Sequence, residues 1–68
     1  MKTLYDVQQF LRRYGIFIYV GDRLADLEMM EEELRELFHS KLIEPNDFKI
    51  GQLIVRQEQE NEKRKRNG

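Results

Sequence analysis

The chain has 68 residues, 37% of them charged, with a net charge of −1 and no cysteine. That length holds one domain, and a domain so short buries only about 60% of the surface its unfolded chain exposes. Small scaffolds are commonly reinforced by disulfides, a metal or a partner subunit. The missing cysteines exclude the first, and a single histidine, His39, argues against a structural zinc site.

The charge is unevenly spread: residues 1–21 carry +2, residues 22–47 carry −6 and residues 56–68 carry +2. The near balance speaks against an overall electrostatic footprint for nucleic acid and describes a dipolar molecule. Lys2 is followed by mixed polar residues, not by the apolar core of a secretory signal. The longest apolar run, Ile16 to Val20, is far shorter than the ~18 residues of a membrane span. The cytosol is the expected compartment, with no membrane contact.

Thr3 is placed to cap a first helix, with Asp6 three residues on as its capping-box partner. Leu4, Val7, Leu11 and Tyr14 follow at helical spacing, flanked by Phe10. Gly15 supplies the stop, so the helix is expected over about residues 4–14. Ile16-Phe17-Ile18-Tyr19-Val20, between Gly15 and Gly21, prefers extended backbone, but no other segment reads as a strand partner. An extended apolar linker packed on helices is expected.

Asp22 caps the second helix, expected over about residues 23–40. Leu27, Met30, Leu34, Leu37 and Phe38 share one face, and Glu28, Glu32, Glu33 and Glu36 the other. Glu44-Pro45 opens the third, where proline fits the first helical position and Asp47 suits the positive end of the dipole. Phe48, Ile50, Leu53, Ile54 and Val55 spread over an arc of about 220°, leaving Lys49, Gln52 and Arg56 as a polar strip. Gly51, inside that arc, lets a neighbour approach closely. After Arg56 the apolar signal ends. The pairs Glu60–Arg64 and Glu62–Arg66 support a frayed helical extension, with a disordered tail as the alternative. The expectation is an all-α protein: a compact three-helix bundle over residues 1–58, with an extended apolar linker between helices 1 and 2 and a charged extension over 59–68.

Three stretches carry a resemblance: Tyr5-Asp6-Val7-Gln8-Gln9, then Tyr14 through Arg23, then Asp26-Leu27-Glu28 with Met30. In this order and spacing the chain resembles the YqgQ-like family of short bacterial cytosolic proteins, over roughly residues 2–58. The resemblance implies a compact three-helix fold and no assigned catalytic residues. Single-stranded nucleic-acid binding is a suggestion that comes with the family.

No phosphate loop, His-Glu-x-x-His helix or nucleophile elbow is present, so a noncatalytic protein without cofactor, metal or small-molecule substrate is expected. His39 falls at the end of the second helix, where a protonated imidazole suits the dipole. The glutamates spaced by four are a solvated face. Two surfaces remain. Tyr5, Gln9, Arg12 and Arg13 on the first helix, with Gln8 on the same face, followed by Tyr19 and Arg23, combine cations for phosphates with flat rings for bases of single-stranded RNA or DNA. The plainer reading half-buries Tyr5 and leaves the arginines in water. Lys63 to Arg66 could hold phosphates nonspecifically or simply keep the terminus soluble.

The second surface is apolar: Ile50, Leu53 and Ile54 with the Ile16–Val20 linker. Either the linker lies across the third helix and covers both, or they contact another protein or a second copy of the chain.

Overall fold

A computed structural model describes residues 1–67, and among these there are three helices and no strand: α1 (Leu4–Arg12), α2 (Arg23–His39) and α3 (Pro45–Asn67). Residue 68, the last of the expected extension, lies outside the described residues.

Each helix begins on the residue that its sequence marks. Thr3 Oγ1 accepts the Asp6 N–H at 3.2 Å and Asp6 Oδ2 accepts the Thr3 N–H at 3.1 Å, so both halves of the capping box form. Asp22 accepts the Ala25 N–H at 2.9 Å. Pro45 is the first residue of α3, with Asp47 in its first turn.

The ends of α1 and α2 share one geometry. The Ile16 N–H bonds Leu11 O at 3.1 Å and the Gly15 N–H bonds Arg12 O at 3.0 Å, with Gly15 at φ 75°. This is the Schellman arrangement, in which a left-handed residue folds the last turn back on itself. It tightens residues 13–15 into a turn, so α1 ends at Arg12 and not at Tyr14. At α2 the Leu42 N–H reaches Leu37 O and the Lys41 N–H reaches Phe38 O, both at 3.0 Å, with Lys41 at φ 61°.

The core is one cluster: Val7 and Leu11 from α1, Leu27, Met30, Leu34 and Leu37 from α2, Ile43 from the second connection and Val55 from α3. α2 and α3 run antiparallel along their whole length. Phe38 stacks on Phe48 with ring centroids 4.4 Å apart, Leu34 meets Gly51, Glu31 meets Arg56 and Gln59, and Asp22 meets Arg66. The 23 residues of α3 set the long dimension of the molecule, 38 Å.

The face that α3 turns to α2 differs from the one its apolar arc predicts. Phe48, Gln52, Val55, Gln59 and Glu62 follow one another at steps of three and four, with Gly51 beside Gln52. Gln52 is therefore half-buried in the seam, not part of an outer strip, and Arg56 leans across to Glu31. Past Val55 the seam becomes polar: Gln59 Nε2 bonds Glu31 Oε1 at 2.9 Å, Glu62 faces Arg23 and Arg66 bonds Asp22 Oδ1 at 2.6 Å. The charged extension is thus helical through Asn67 and tied to the start of α2.

Candidate functional site

The linker between α1 and α2 alternates. Ile16 and Ile18 pack on the core, while Phe17 and Tyr19 turn outward, 72% and 88% exposed. Alternation with period two is what extended backbone gives. The linker is fixed at both ends, by the Ile16 N–H on Leu11 O and by the Val20 N–H on Asp26 Oδ1 at 2.7 Å. Its neighbours are Gln8, Leu11 and Arg12 of α1 and Met30 of α2, which with the linker enclose a groove of about 200 Å³. A second groove of about 210 Å³ continues past Gln8, Tyr19 and Met30 to Leu4, Arg23 and Asp26. No residue of α3 lines either groove, and Leu53 on the apolar surface of α3 stays 72% exposed.

The six residues proposed for nucleic acid are divided by this geometry. Arg12 and Tyr19 line the first groove, and Tyr19 and Arg23 line its continuation. The Arg12 guanidinium carbon lies 5.6 Å from the centre of the Phe17 ring, a cation–π approach. Among the described residues no carboxylate comes within ion-pair distance of Arg12 or Arg13. Gln9 and Arg13 face the other flank of α1, in a shallow basin with Met1, Lys2, Asp6, Phe10 and Asp47. Tyr5, 65% exposed, stands on the crest between the flanks and is not half-buried. Arg23 is partly committed, 3.5 Å from Glu58 and 3.8 Å from Glu62.

Two residues outside that set belong to the groove. Gln8 lines both of its halves, and Phe17 forms one wall. The period-two alternation around Tyr19 was the signal for Phe17, since residues 17 and 19 of an extended segment share a face. Gln8 shares the outer face of α1 with Tyr5, Gln9 and Arg12 in the sequence, but its helix position alone does not say which flank the linker takes.

The apolar set on α3 is also divided. Leu53 is 72% exposed, while Ile54 packs on the core and Ile50 is half-buried. Leu53 and Ile54 border an open cleft with Lys2, Thr3, Leu4, Gln57 and Glu58, away from the outer rings of the linker.

Three carboxylates are held below their ordinary range. Asp6 is lowered first by the Lys2 N–H, then by the Thr3 N–H, and Asp22 first by the Ala25 N–H and then by Arg66. At Glu31 burial pushes upward, but hydrogen bonds from Gln59 and Arg56 outweigh it. All three belong to caps or to the α2–α3 seam. Among the described residues no group of His, Asp and Glu is arranged to hold a metal ion. No helix is long and apolar enough to cross a membrane.

These observations define a small three-helix protein whose distinctive surface is an aromatic linker bordered by arginine. The profile of the YqgQ-like family matches residues 1–61, and the chain belongs to that family. It is similar to the uncharacterized protein YqgQ of Bacillus subtilis strain 168, 40% identical over 63 residues that cover 93% of this chain and 89% of that protein.

Proposed function

We propose that this protein is a noncatalytic binding protein that holds single-stranded RNA or DNA weakly, in the groove between α1 and the linker. One observation carries the reading: Phe17 and Tyr19 are the two most exposed aromatic residues, they share one face of the linker, and Arg12 stands over one of them. Exposed rings give bases a stacking surface worth about 1–3 kcal/mol each, and an adjacent guanidinium takes the phosphates. Gln8 offers an amide to base edges. Residues 1–21 carry +2, so the groove opens on the basic part of a dipolar chain.

The test is fluorescence anisotropy of labelled single-stranded oligonucleotides at two salt concentrations. Saturable binding that weakens with salt is expected. Phe17→Ala and Tyr19→Ala should each weaken it by a factor of about 5–150, the range of one stacked base. Arg12→Ala should weaken it more than Arg13→Ala, because Arg13 sits on the other flank near Asp47. Equal affinity for all four variants and the wild type would remove the groove as the site.

A second reading, contact with another protein through Ile50, Leu53 and Ile54, has the exposure of Leu53 beside the cleft of about 350 Å³ in its favour. A partner held there would be lost on Leu53→Asp and retained on Tyr19→Ala.

A further inference from the structure

In extended backbone the N–H and C=O of one residue point to the same edge, and successive residues alternate between edges. Ile16 and Val20 spend their N–H groups inward, on Leu11 O and Asp26 Oδ1. By that parity Phe17 and Tyr19 present theirs to the opposite edge. Among the described residues, neither the N–H nor the C=O of either makes a hydrogen bond within the chain. The segment is flanked by Gly15 and Gly21, both at positive φ, and from Ile16 to Val20 contains no charge and no proline. Charge, proline and bulges are the usual means of blunting a free edge, and none is used here.

We propose that this edge pairs with the same edge of a second copy of the chain, antiparallel, about a two-fold axis through Ile18. The register follows from the parity. Phe17 of one copy opposes Tyr19 of the other, and the two pairs exchange four backbone hydrogen bonds. Ile18 opposes itself as the pair without hydrogen bonds. This register is self-complementary: it sets an aromatic ring opposite an aromatic ring twice, a favourable cross-strand combination, and brings no like charges together within Ile16–Val20. It also turns the Arg12–Arg13 end of one copy toward the 22–26 end of the other, where Asp22 and Asp26 outnumber Arg23. The rings project from the face and not the edge, so pairing joins two linkers into one wider aromatic surface. The contact rests on backbone geometry and is independent of whether that surface takes nucleic acid.

Two short strands form a weak contact, so a reversible dimer is expected. Sedimentation of the full chain without nucleic acid should show the mass rising from 8.3 kDa toward twice that value as concentration increases. Phe17→Lys combined with Tyr19→Lys places lysine opposite lysine twice and should abolish the dimer. Phe17→Glu combined with Tyr19→Lys places opposite charges across the same pairs and should restore it. Both positions are exposed, and unchanged circular dichroism would show that the fold is retained. A monomer up to roughly 1 mM, the scale of the weakest specific encounters, overturns the proposal and leaves the edge to an extended peptide of another protein. A dimer that survives the double lysine substitution overturns it in favour of another face, and failure of the charge swap to restore association overturns the register.

Discussion

Lys41 occupies a place that glycine fills at the end of α1. Both residues close a Schellman turn at positive φ, 75° for Gly15 and 61° for Lys41. A side chain at that φ crowds its own backbone, at a cost of about 1–2 kcal/mol that glycine avoids. Lys41→Gly is therefore expected to stabilise the protein by about 0.5–1 kcal/mol, after the extra freedom of glycine in the unfolded chain is subtracted. A urea titration at neutral pH would show the midpoint rising with an unchanged slope. Gly51 is the opposite case. A Cβ built there lies 3.1 Å from Leu34 Cδ1 and 3.3 Å from Cδ2, and Leu34 is fully buried with no space to retreat. Gly51→Leu would force α2 and α3 apart and should cost about 3 kcal/mol, the upper end of overpacking. So small a core supplies only about 3–5 kcal/mol in total. The same titration should find this variant unfolding at little or no urea, and an unchanged midpoint would mean that the helices are not held at this contact.

At the scale of elements, α3 does two jobs with one continuous helix. Its first half, Phe48 to Val55, closes the core, and its second half lays Gln59, Glu62 and Arg66 along the start of α2. The second half is held by polar contacts alone. The Arg66–Asp22 pair is short at 2.6 Å, yet both side chains are about half exposed, and exposed ion pairs contribute little because water and salt screen them. A chain ending after Asn61 should keep the three-helix fold and lose only a few degrees of melting temperature, with helical signal reduced by the missing residues. Collapse of the fold on that truncation would show that the polar half of the seam matters as much as the apolar half. The linker depends in turn on α1 and α2. Its inner residues are fixed by the core and its outer ones are left free, so the exposed rings sit on a rigid base.

For the whole molecule, the lowered carboxylates set a pH dependence. Asp6 and Asp22 are held below their ordinary value of 3.8, and Glu31 below 4.5. A depressed folded value means that the unfolded chain takes up protons first, so folding is favoured fully above those ordinary values and loses support as pH falls through the folded ones. Melting temperature should therefore be flat downward from neutrality, begin to fall below pH 4.5 and fall faster below 3.8. Asp22→Asn should reduce that fall, because it removes one titrating group and its bond to Arg66. An equal pH dependence in the variant would show that Asp22 contributes nothing to it.

Much of this architecture is readable along the chain, because its signals are local. Thr3 and Asp22 are caps, Gly15 is a stop, Pro45 is a start, and the spacing of Leu27, Met30, Leu34 and Leu37 gives the buried face of α2. All of these act within a few residues of where they stand. The family was readable too, from Tyr14 through Arg23. What sequence could not supply depends on how the elements meet. The apolar arc of α3 is wide enough to be rotated several ways. Only docking against α2, at the one place where Gly51 admits Leu34, turned Gln52 inward and Leu53 outward. The outer face of α1 reads as one surface, and it became two when the linker settled on the Gln8 flank, taking Arg12 and Tyr19 into the groove and leaving Gln9 and Arg13 behind. Local preference and capping thus determined the three helices and the extended linker, since their physics is short-ranged. The choice of faces, and with it the candidate site, fell to tertiary packing, because which side of a helix is buried depends on a neighbour far away in the chain.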